Sequence, residues 1–433
     1  HIRSKGRFDL DDQWRAGFNV ARSTDRTYLR RYGFRSEPWL ETRPFVEGFG
    51  GRSYASLQSY AYQGLRAEDR ANTTPLILPL ADYNYVGEPG SQGQYMTFDA
   101  GALALSRDLG TDMRRLSSKV SWVLPYTAPK GDIYRMTASV RGEAYQVNHY
   151  RLPETSETRN GVSGRVVPEL AMDWRWPFIR HGETFSDTIE PIVVGVVSPN
   201  GMNPRKIPNE DSLDFEYDDT NLFRTSRFSG LDRFEGGSRL GYGVKWSAFG
   251  QRPGSVHALL GQSYRTHKDS VHGRDSGLDD HLSDYVGRLE YYPGGNLSML
   301  YRFRIDKENF SAQRSELGAT VGPKALSLNT NYIFVERNPT SGMPGRNQLA
   351  LGLNSALTQY WSAGASTVYD VGDSSGPVSA GVRLLYNDEC FAFQASYTNK
   401  FTNDKDYQGG QAVLFRFVLK TLGEFQAKAQ SEP

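Results

Sequence analysis

The sequence predicts an all-β protein, a transmembrane antiparallel β-barrel of the outer-membrane type with about twenty strands. Three observations carry that prediction. Apolar and polar residues alternate with the two-residue period of a strand that has two unlike faces. The alternating runs extend to about nine or ten residues, longer than the five or six usual in soluble sheets. Between them, tight Gly/Pro turns contrast with long polar connections, as in barrels with one short-turn rim and one long-loop rim.

The runs appear in chain order. Trp14, Ala16, Phe18 and Val20 oppose Arg15, Gly17 and Asn19; Val166, Leu170, Met172, Trp174 and Trp176 oppose Arg165, Glu169, Asp173 and Arg175. Further on, Leu297, Met299, Tyr301, Phe303 and Ile305 oppose Ser298, Arg302, Arg304 and Asp306, and Phe391, Phe393, Ala395, Tyr397 and Phe401 oppose Gln394, Ser396, Thr398 and Lys400. Pro293-Gly294-Gly295 and Gly322-Pro323 mark short turns, and Asp404 to Gly410 a somewhat longer one. Arg66 to Gln94, Leu152 to Gly161, Asn200 to Gly237 and Thr266 to Asp284 are expected as long outer loops. Aromatic pairs stand at strand ends, Tyr83/Tyr85, Trp174/Trp176, Tyr291/Tyr292 and Tyr360/Trp361, where an amphipathic ring suits the headgroup layer.

Composition fits one continuous architecture. The 433 residues include 44 Gly, 25 Tyr, 22 Phe and 7 Trp. No Pro/Ser-rich linker divides them, so residues 1–433 are expected to form a single barrel domain. With 50 basic and 49 acidic residues the net charge is +1, and there is no basic tract to attract nucleic acid. The longest apolar stretches, such as Pro191 to Val197, fall far short of the ~20 residues of a membrane-spanning helix. A mean hydropathy of −0.57 is neutral for a barrel, whose strands need apolar residues on the lipid face alone. The chain opens on His1 with neither an initiator Met nor a signal peptide, as expected of a processed or partial chain. A single cysteine, Cys390, excludes an internal disulfide.

One stretch departs from this pattern. From Asp211 to Lys245, carboxylates (Asp211, Asp214, Glu216, Asp218, Asp219) give way to Arg224, Arg227 and Arg233 set among Phe223, Phe228 and Phe234, with Asp232 between them. Alternation then resumes, with Leu240, Tyr242, Val244 and Trp246 against Arg239, Gly241, Gly243 and Lys245. Arginine forks clamp carboxylates or phosphates, and phenylalanines pack a loop onto a surface. Two readings follow: the loop meets a partner, or it folds inward and ion-pairs with its own barrel wall. Both put it in the lumen.

Other motifs yield to their context. Gly372 to Pro377, GDSSGP, fits a serine-nucleophile pattern, but it lies between two alternating runs and reads as a hairpin turn around Ser374. His267, His272 and His281 share one loop with Asp269, Asp275, Asp279, Asp280 and Asp284, yet their spacing matches no metal-binding motif. There is no phosphate-binding or dinucleotide-binding glycine loop and no Cys pair, so no cofactor and no metal is expected.

NLFRTSRFSGLDRFEGG, residues 221–237, resembles the central signature of the lipopolysaccharide-assembly outer-membrane proteins, the LptD family. IEPIVVGVVSP (Ile189 to Pro199) resembles the strand before that loop, YNDECFAFQASYTNKF (Tyr386 to Phe401) its tyrosine-to-cysteine strand, QAVLFRFVLKTLG (Gln411 to Gly423) its closing strand, and QWRAGFNVARSTDRTYLRRY (Gln13 to Tyr32) an early strand.

The resemblance implies a barrel of about 26 strands, fed from the periplasm through an N-terminal jelly roll and plugged by a lipoprotein, LptE. It implies that lipopolysaccharide, handed on by periplasmic bridge proteins that dock on the jelly roll, passes to the outer leaflet of the Gram-negative outer membrane through a lateral seam between first and last strands. The jelly roll and first strands are then absent from this chain, and its edge closes only in the full-length protein. By the same resemblance Arg224, Arg227, Phe228, Asp232 and Arg233 meet the plug lipoprotein, and Val413, Phe415, Phe417 and Leu419 belong to the closing strand of the lateral gate. Phe415-x-Phe417 is similar to the signal read by the barrel-assembly machinery, with Ala412 where that signal prefers glycine. Family members commonly carry adjacent cysteines where this chain reads Asp388-Glu389-Cys390, so Cys390 alone remains for a bridge to the jelly roll. Such a translocon needs no catalytic residue. The residues by themselves fit a passive porin-like channel equally well, whereas a soluble carbohydrate enzyme or adhesin fits poorly with the aromatic strand ends.

Overall fold

In the computed structural model, the described residues are all of 1–433 except 27–28, 30–36, 154, 156, 214–215, 251–253, 269, 274–275, 338–344, 373–374, 404–408, 421–422 and 432–433. Asp214, Asp269, Asp275, Ser374, Asp404 and parts of the segments at Gln13 to Tyr32 and Gln411 to Gly423 therefore lie outside them. The described residues form one antiparallel sheet of 23 strands. The first nine are β1 (Ile2–Asp9), β2 (Trp14–Arg22), β3 (Trp39–Phe49), β4 (Ser53–Gly64), β5 (Leu76–Val86), β6 (Tyr95–Ser106), β7 (Asp112–Thr127), β8 (Ile133–Arg151) and β9 (Thr158–Arg175). β10 (Phe178–His181), β11 (Phe185–Val197), β12 (Arg239–Gly250), β13 (Ser255–Arg265), β14 (Tyr285–Tyr292), β15 (Leu297–Ile305) and β16 (Ala312–Val321) follow. The last are β17 (Ser327–Val335), β18 (Arg346–Ala356), β19 (Trp361–Asp370), β20 (Gly376–Asn387), β21 (Phe391–Lys400), β22 (Gly410–Leu419) and β23 (Gly423–Ser431).

Each strand pairs with its chain neighbours, except that β9 and β10 share one path. β11 meets Leu170 to Arg175 of β9 with one half and all of β10 with the other. Trp176-Pro177 interrupts the path because proline brings no N–H to the ladder. Up-and-down pairing sends alternate connections to opposite rims. The segments after β2, β4, β11 and β13 are long, whereas those after β1, β3, β10, β14 and β20 are tight.

The two faces differ as the alternation requires. Leu116, Val120, Val140, Val162, Val166 and Leu170 are exposed on one face of β7–β9, while Arg115, Glu143 and Arg165 are buried on the other. So large an exposed apolar surface would drive aggregation in water. In a bilayer it is the lipid-facing band of a barrel, and the fold class is the one the alternation predicts.

Four expectations need correction. Arg66 to Gln94 is not one loop, because it contains β5. Pro79 sits in a register shift on both flanks of that strand, between Gln58/Tyr60 on β4 and between Ile77/Leu80 towards β6, and the slip breaks the two-residue alternation. Leu152 to Gly161 is shorter as a loop than expected, since β9 already starts at Thr158. The strands also run longer: β7, β8 and β9 have 16, 19 and 18 residues. Fourth, Val413, Phe415, Phe417 and Leu419 lie on β22, which is not the last strand described. β22 is paired on both sides, with Tyr397↔Val413 towards β21 and Val413↔Ala429 towards β23. β23 reads GEFQAKAQS, with Phe425 its one large apolar residue, so alternation by size gives it no signal. Among the described residues no ladder joins β1 to β23.

Candidate functional site

The described residues of the connection between β11 and β12, within 198–238, turn into the lumen. The two strands are held in register from Phe185↔Gly250 to Val196↔Arg239. The neck is tied where Gly237 N donates to Pro199 O at 3.2 Å and Ser198 Oγ donates to Gly237 O at 3.3 Å. Gly237 has φ +88°, a conformation that favours glycine, and this lets the returning chain re-enter β12.

The wall is shaped to receive the loop. Gly241, Gly243 and Gly261 face the lumen on β12 and β13, and Leu222-Phe223 lies directly on them. A Cβ on Gly241 would stand 3.0 Å from Leu222 O, and one on Gly243 would stand 3.1 Å from Phe223 Cζ. On Gly261 it would meet Leu222 Cδ2 and the Tyr242 carbonyl oxygen at 2.6 Å. We expect Gly261→Val to lift the loop at a cost of about 1–3 kcal/mol, the usual penalty of overpacking. A lowered melting temperature, with new proteolytic cleavage within 198–238, checks this; a melting curve and digest like those of the parent protein count against it.

Charge anchors the loop at several points. On β7, Arg115 bridges Asp211 at 2.5 Å and Asp232 at 2.7 Å. The two aspartates lock onto each other's backbone: Asp232 Oδ2 accepts from Glu210 N and Asp211 N, and Asp211 accepts from Leu231 N and Asp232 N. Burial pushes the Asp211 carboxyl up, but Arg115 and those two backbone donors outweigh it and hold it below the usual range. Asp232 goes the other way, raised by burial and by the neighbouring Asp211 charge. On β9, Arg165 pairs with Glu143 at 2.5 Å and donates to Met202 O and Asn203 Oδ1, both at 3.0 Å, and to Leu231 O.

A second centre forms around Glu235, which is fully buried. Arg227 lies 2.6 Å away, Arg265 2.5 Å, His272 3.3 Å and Arg239 3.8 Å. Burial opposes ionisation of Glu235, yet Arg239, Arg227 and His272 keep its carboxyl well below the ordinary range. Burial lowers His272 despite the nearby Glu235. Beyond this centre, Tyr217 Oη meets Ser283 Oγ at 2.9 Å, Asp219 faces Arg288 at 3.4 Å and Arg302 at 3.7 Å, and Glu216 pairs with Arg314 of β16. The loop is thus fastened from β7 round to β16.

The residues singled out from sequence divide accordingly. Arg227 and Asp232 are buried and bonded to the chain's own groups. Phe228 stacks on His272 with ring centroids 4.8 Å apart, and Arg233 Nη1 donates to the carbonyls of Ile207 and Pro208. Arg224 alone of the five is exposed. The sequence reading missed Glu235 and the wall arginines Arg115 and Arg265, while Arg165 and Arg239 figured there merely as polar-face residues. Their signal was lumen-face parity on neighbouring strands, which is legible only once register is known. The three histidines diverge: His272 turns to Glu235, His281 Nδ1 lies 2.9 Å from Arg265 O, and His267 Nδ1 lies 3.1 Å from Thr266 Oγ1. Among the described residues no His/Cys/Asp/Glu group is arranged around a metal. Cys390 is an exposed free thiol in the tight β20–β21 turn, whose Asp388 Oδ1 accepts from Cys390 N and Phe391 N.

A lipid-banded antiparallel sheet whose longest described loop is folded inward as a plug defines an outer-membrane β-barrel protein. The chain belongs to the LptD family, described as LPS transport system D, whose profile matches residues 1–349. It is 22% identical to the LPS-assembly protein LptD of Sodalis glossinidius, over 95% of this chain and 56% of that one. With the LPS-assembly protein LptD of Hahella chejuensis it shares 23% identity over 98% of this chain and 54% of the relative. The chain therefore spans about half the length of the curated relatives it matches. Among solved structures it overlaps the siderophore receptor PirA of Acinetobacter baumannii at 7% identity, covering 98% of this chain and 75% of that one with a TM-score of 0.43. An overlap that loose aligns no individual residues.

Proposed function

We propose that this barrel inserts lipopolysaccharide into the outer leaflet of the outer membrane, through its lumen and a lateral seam between first and last strands. Membership of the LptD family over residues 1–349 is the observation that carries the reading. The geometry supports it. A polar lumen accepts the sugar and phosphate part of a glycolipid while acyl chains leave sideways, and edge-strand hydrogen bonds are the ones that open without breaking the sheet. In this reading Val413, Phe415, Phe417 and Leu419 on β22, which pairs with β23, belong to the closing side of the seam.

In this reading the plug lipoprotein, of the LptE type, approaches the lumenal loop at exposed Arg224, while Arg227, Phe228, Asp232 and Arg233 hold that loop in shape. Cys390, on the tight-turn rim, faces a periplasmic jelly roll and the bridge proteins beyond it, and the Phe415-x-Phe417 strand serves recognition by the barrel-assembly machinery. A passive porin-like channel is disfavoured because the loop obstructs one side of the lumen. The test is photo-crosslinking in intact cells from a probe at Arg224 of the full-length protein. Capture of a small lipoprotein is the expected result; labelling of the barrel's own wall alone would return the protein to an unassigned outer-membrane channel.

A further inference from the structure

The wall that continues from β16, past the last anchor of the plug, carries a polar recess of about 440 Å³ on β17–β21. Register puts it on the lumen face. Arg302, which faces Asp219 of the plug, lies opposite Glu316, and two residues along the same face Gly318 meets Asn331, which meets Ala350. On that face of β18, Asn354 meets Gly364, Gly364 meets Arg383, and Arg383 meets Ser396.

Three features set the recess apart from the rest of the lumen. Its lining contains no carboxylate; Asn329, Asn331, Asn354 and Gln394 present amides, and Arg383 is its one cation. The floor is bare backbone. A Cβ on Gly364 would stand 3.1 Å from Asn354 Oδ1 and 3.7 Å from Arg383 Nη2, so an amide and a guanidinium lean together over that glycine. Third, Arg383 is exposed to the lumen and has no hydrogen-bond or ion-pair partner among the described residues, whereas Arg115, Arg165, Arg227 and Arg265 around the plug are each matched to a carboxylate.

An uncommitted guanidinium binds a carboxylate or phosphate with two parallel hydrogen bonds. Primary amides both donate and accept, as the adjacent hydroxyls of a sugar ring require. The volume falls within the ~300–1,000 Å³ of small-molecule sites. We infer that this recess is a binding subsite for an anionic sugar, with Arg383 on its acidic group and the asparagine amides on its hydroxyls. The inference rests on the proposed lipopolysaccharide path only for the source of that sugar.

The test is equilibrium titration of the full-length protein in detergent with galacturonic acid, galactose 6-phosphate and galactose. Both acidic sugars are expected to bind at least ~10-fold more tightly than galactose, about 1.4 kcal/mol. Arg383→Gln abolishes that preference, and Gly364→Val, which fills the floor, weakens all three. Equal affinity for acidic and neutral sugars, or a preference that survives Arg383→Gln, overturns the subsite. Arg383 is exposed, so the variant is expected to fold, and an unchanged melting temperature verifies this. Displacement of galacturonic acid by deacylated lipopolysaccharide supports the subsite with the glycolipid as its ligand. Acid-selective binding without displacement supports it with free sugars as the ligand, and the lipopolysaccharide path then stands or falls on the Arg224 crosslink.

Discussion

Glu235→Gln is expected to free the plug from the barrel wall at a cost of about 3–5 kcal/mol, the cost of removing one partner from a buried ionic cluster. The substitution keeps the shape and removes the charge. Arg227, Arg239 and Arg265, with side chains 1%, 2% and 5% exposed, are then left facing one another around a neutral amide. The readout is proteolysis within 198–238 together with the melting temperature of the full-length protein. Arg224→Gln, at an exposed position, is the control and is expected to stay within ~0.5 kcal/mol of the parent.

The same centre gives a pH dependence of definite sign. The carboxyl of Glu235 lies well below its reference value of 4.5 in the folded protein, so its contribution is complete above that pH and is lost as pH falls below it. His272 is lowered from 6.5, so the fold favours the neutral ring, and that contribution is complete above 6.5 and declines on acidification. Both effects loosen the plug in acid. Glu235→Gln removes the lower of the two windows. Equal protease resistance of the parent protein at pH 4 and pH 7 would count against this anchoring.

Arg115→Leu is expected to have a comparable effect by the opposite electrostatics, since Asp211 and Asp232 then share a buried site with no cation between them. The loss is again about 3–5 kcal/mol at neutral pH. Asp232 is already raised by burial and by Asp211, and removing Arg115 raises it further. A carboxyl raised in the folded state contributes stability at low pH that is lost as pH rises through its folded value. The variant is therefore less impaired at pH 5 than at pH 8, which denaturation at the two values measures. Adding Asp232→Asn to Arg115→Leu recovers part of the loss. If the double variant is no better than the single one, repulsion between carboxylates is not the cause.

The centres tested by these substitutions were legible to different degrees in the sequence. Period-two alternation in runs such as Leu297–Ile305 and Phe391–Lys400 predicts both strands as they stand, because a lipid-facing side chain must be apolar whatever its neighbours are. Where that constraint weakens, the prediction fails. β5 is broken by the register slips around Pro79, and β23 carries small and polar residues, so neither shows the alternation of a strand.

The plug shows the same division. The sequence by itself determined that residues 211–235 form a charged and aromatic island bound for the lumen, since arginines and phenylalanines in that density satisfy neither lipid nor a β-ladder. Only the tertiary structure decided which groups they meet. Arg115 is 96 residues from Asp211 along the chain, and Arg265 is 30 from Glu235. Such pairs are fixed by strand register and by the glycine seat at Gly241, Gly243 and Gly261. Register is a property of the whole network of ladders across the sheet, and no local run of residues encodes it.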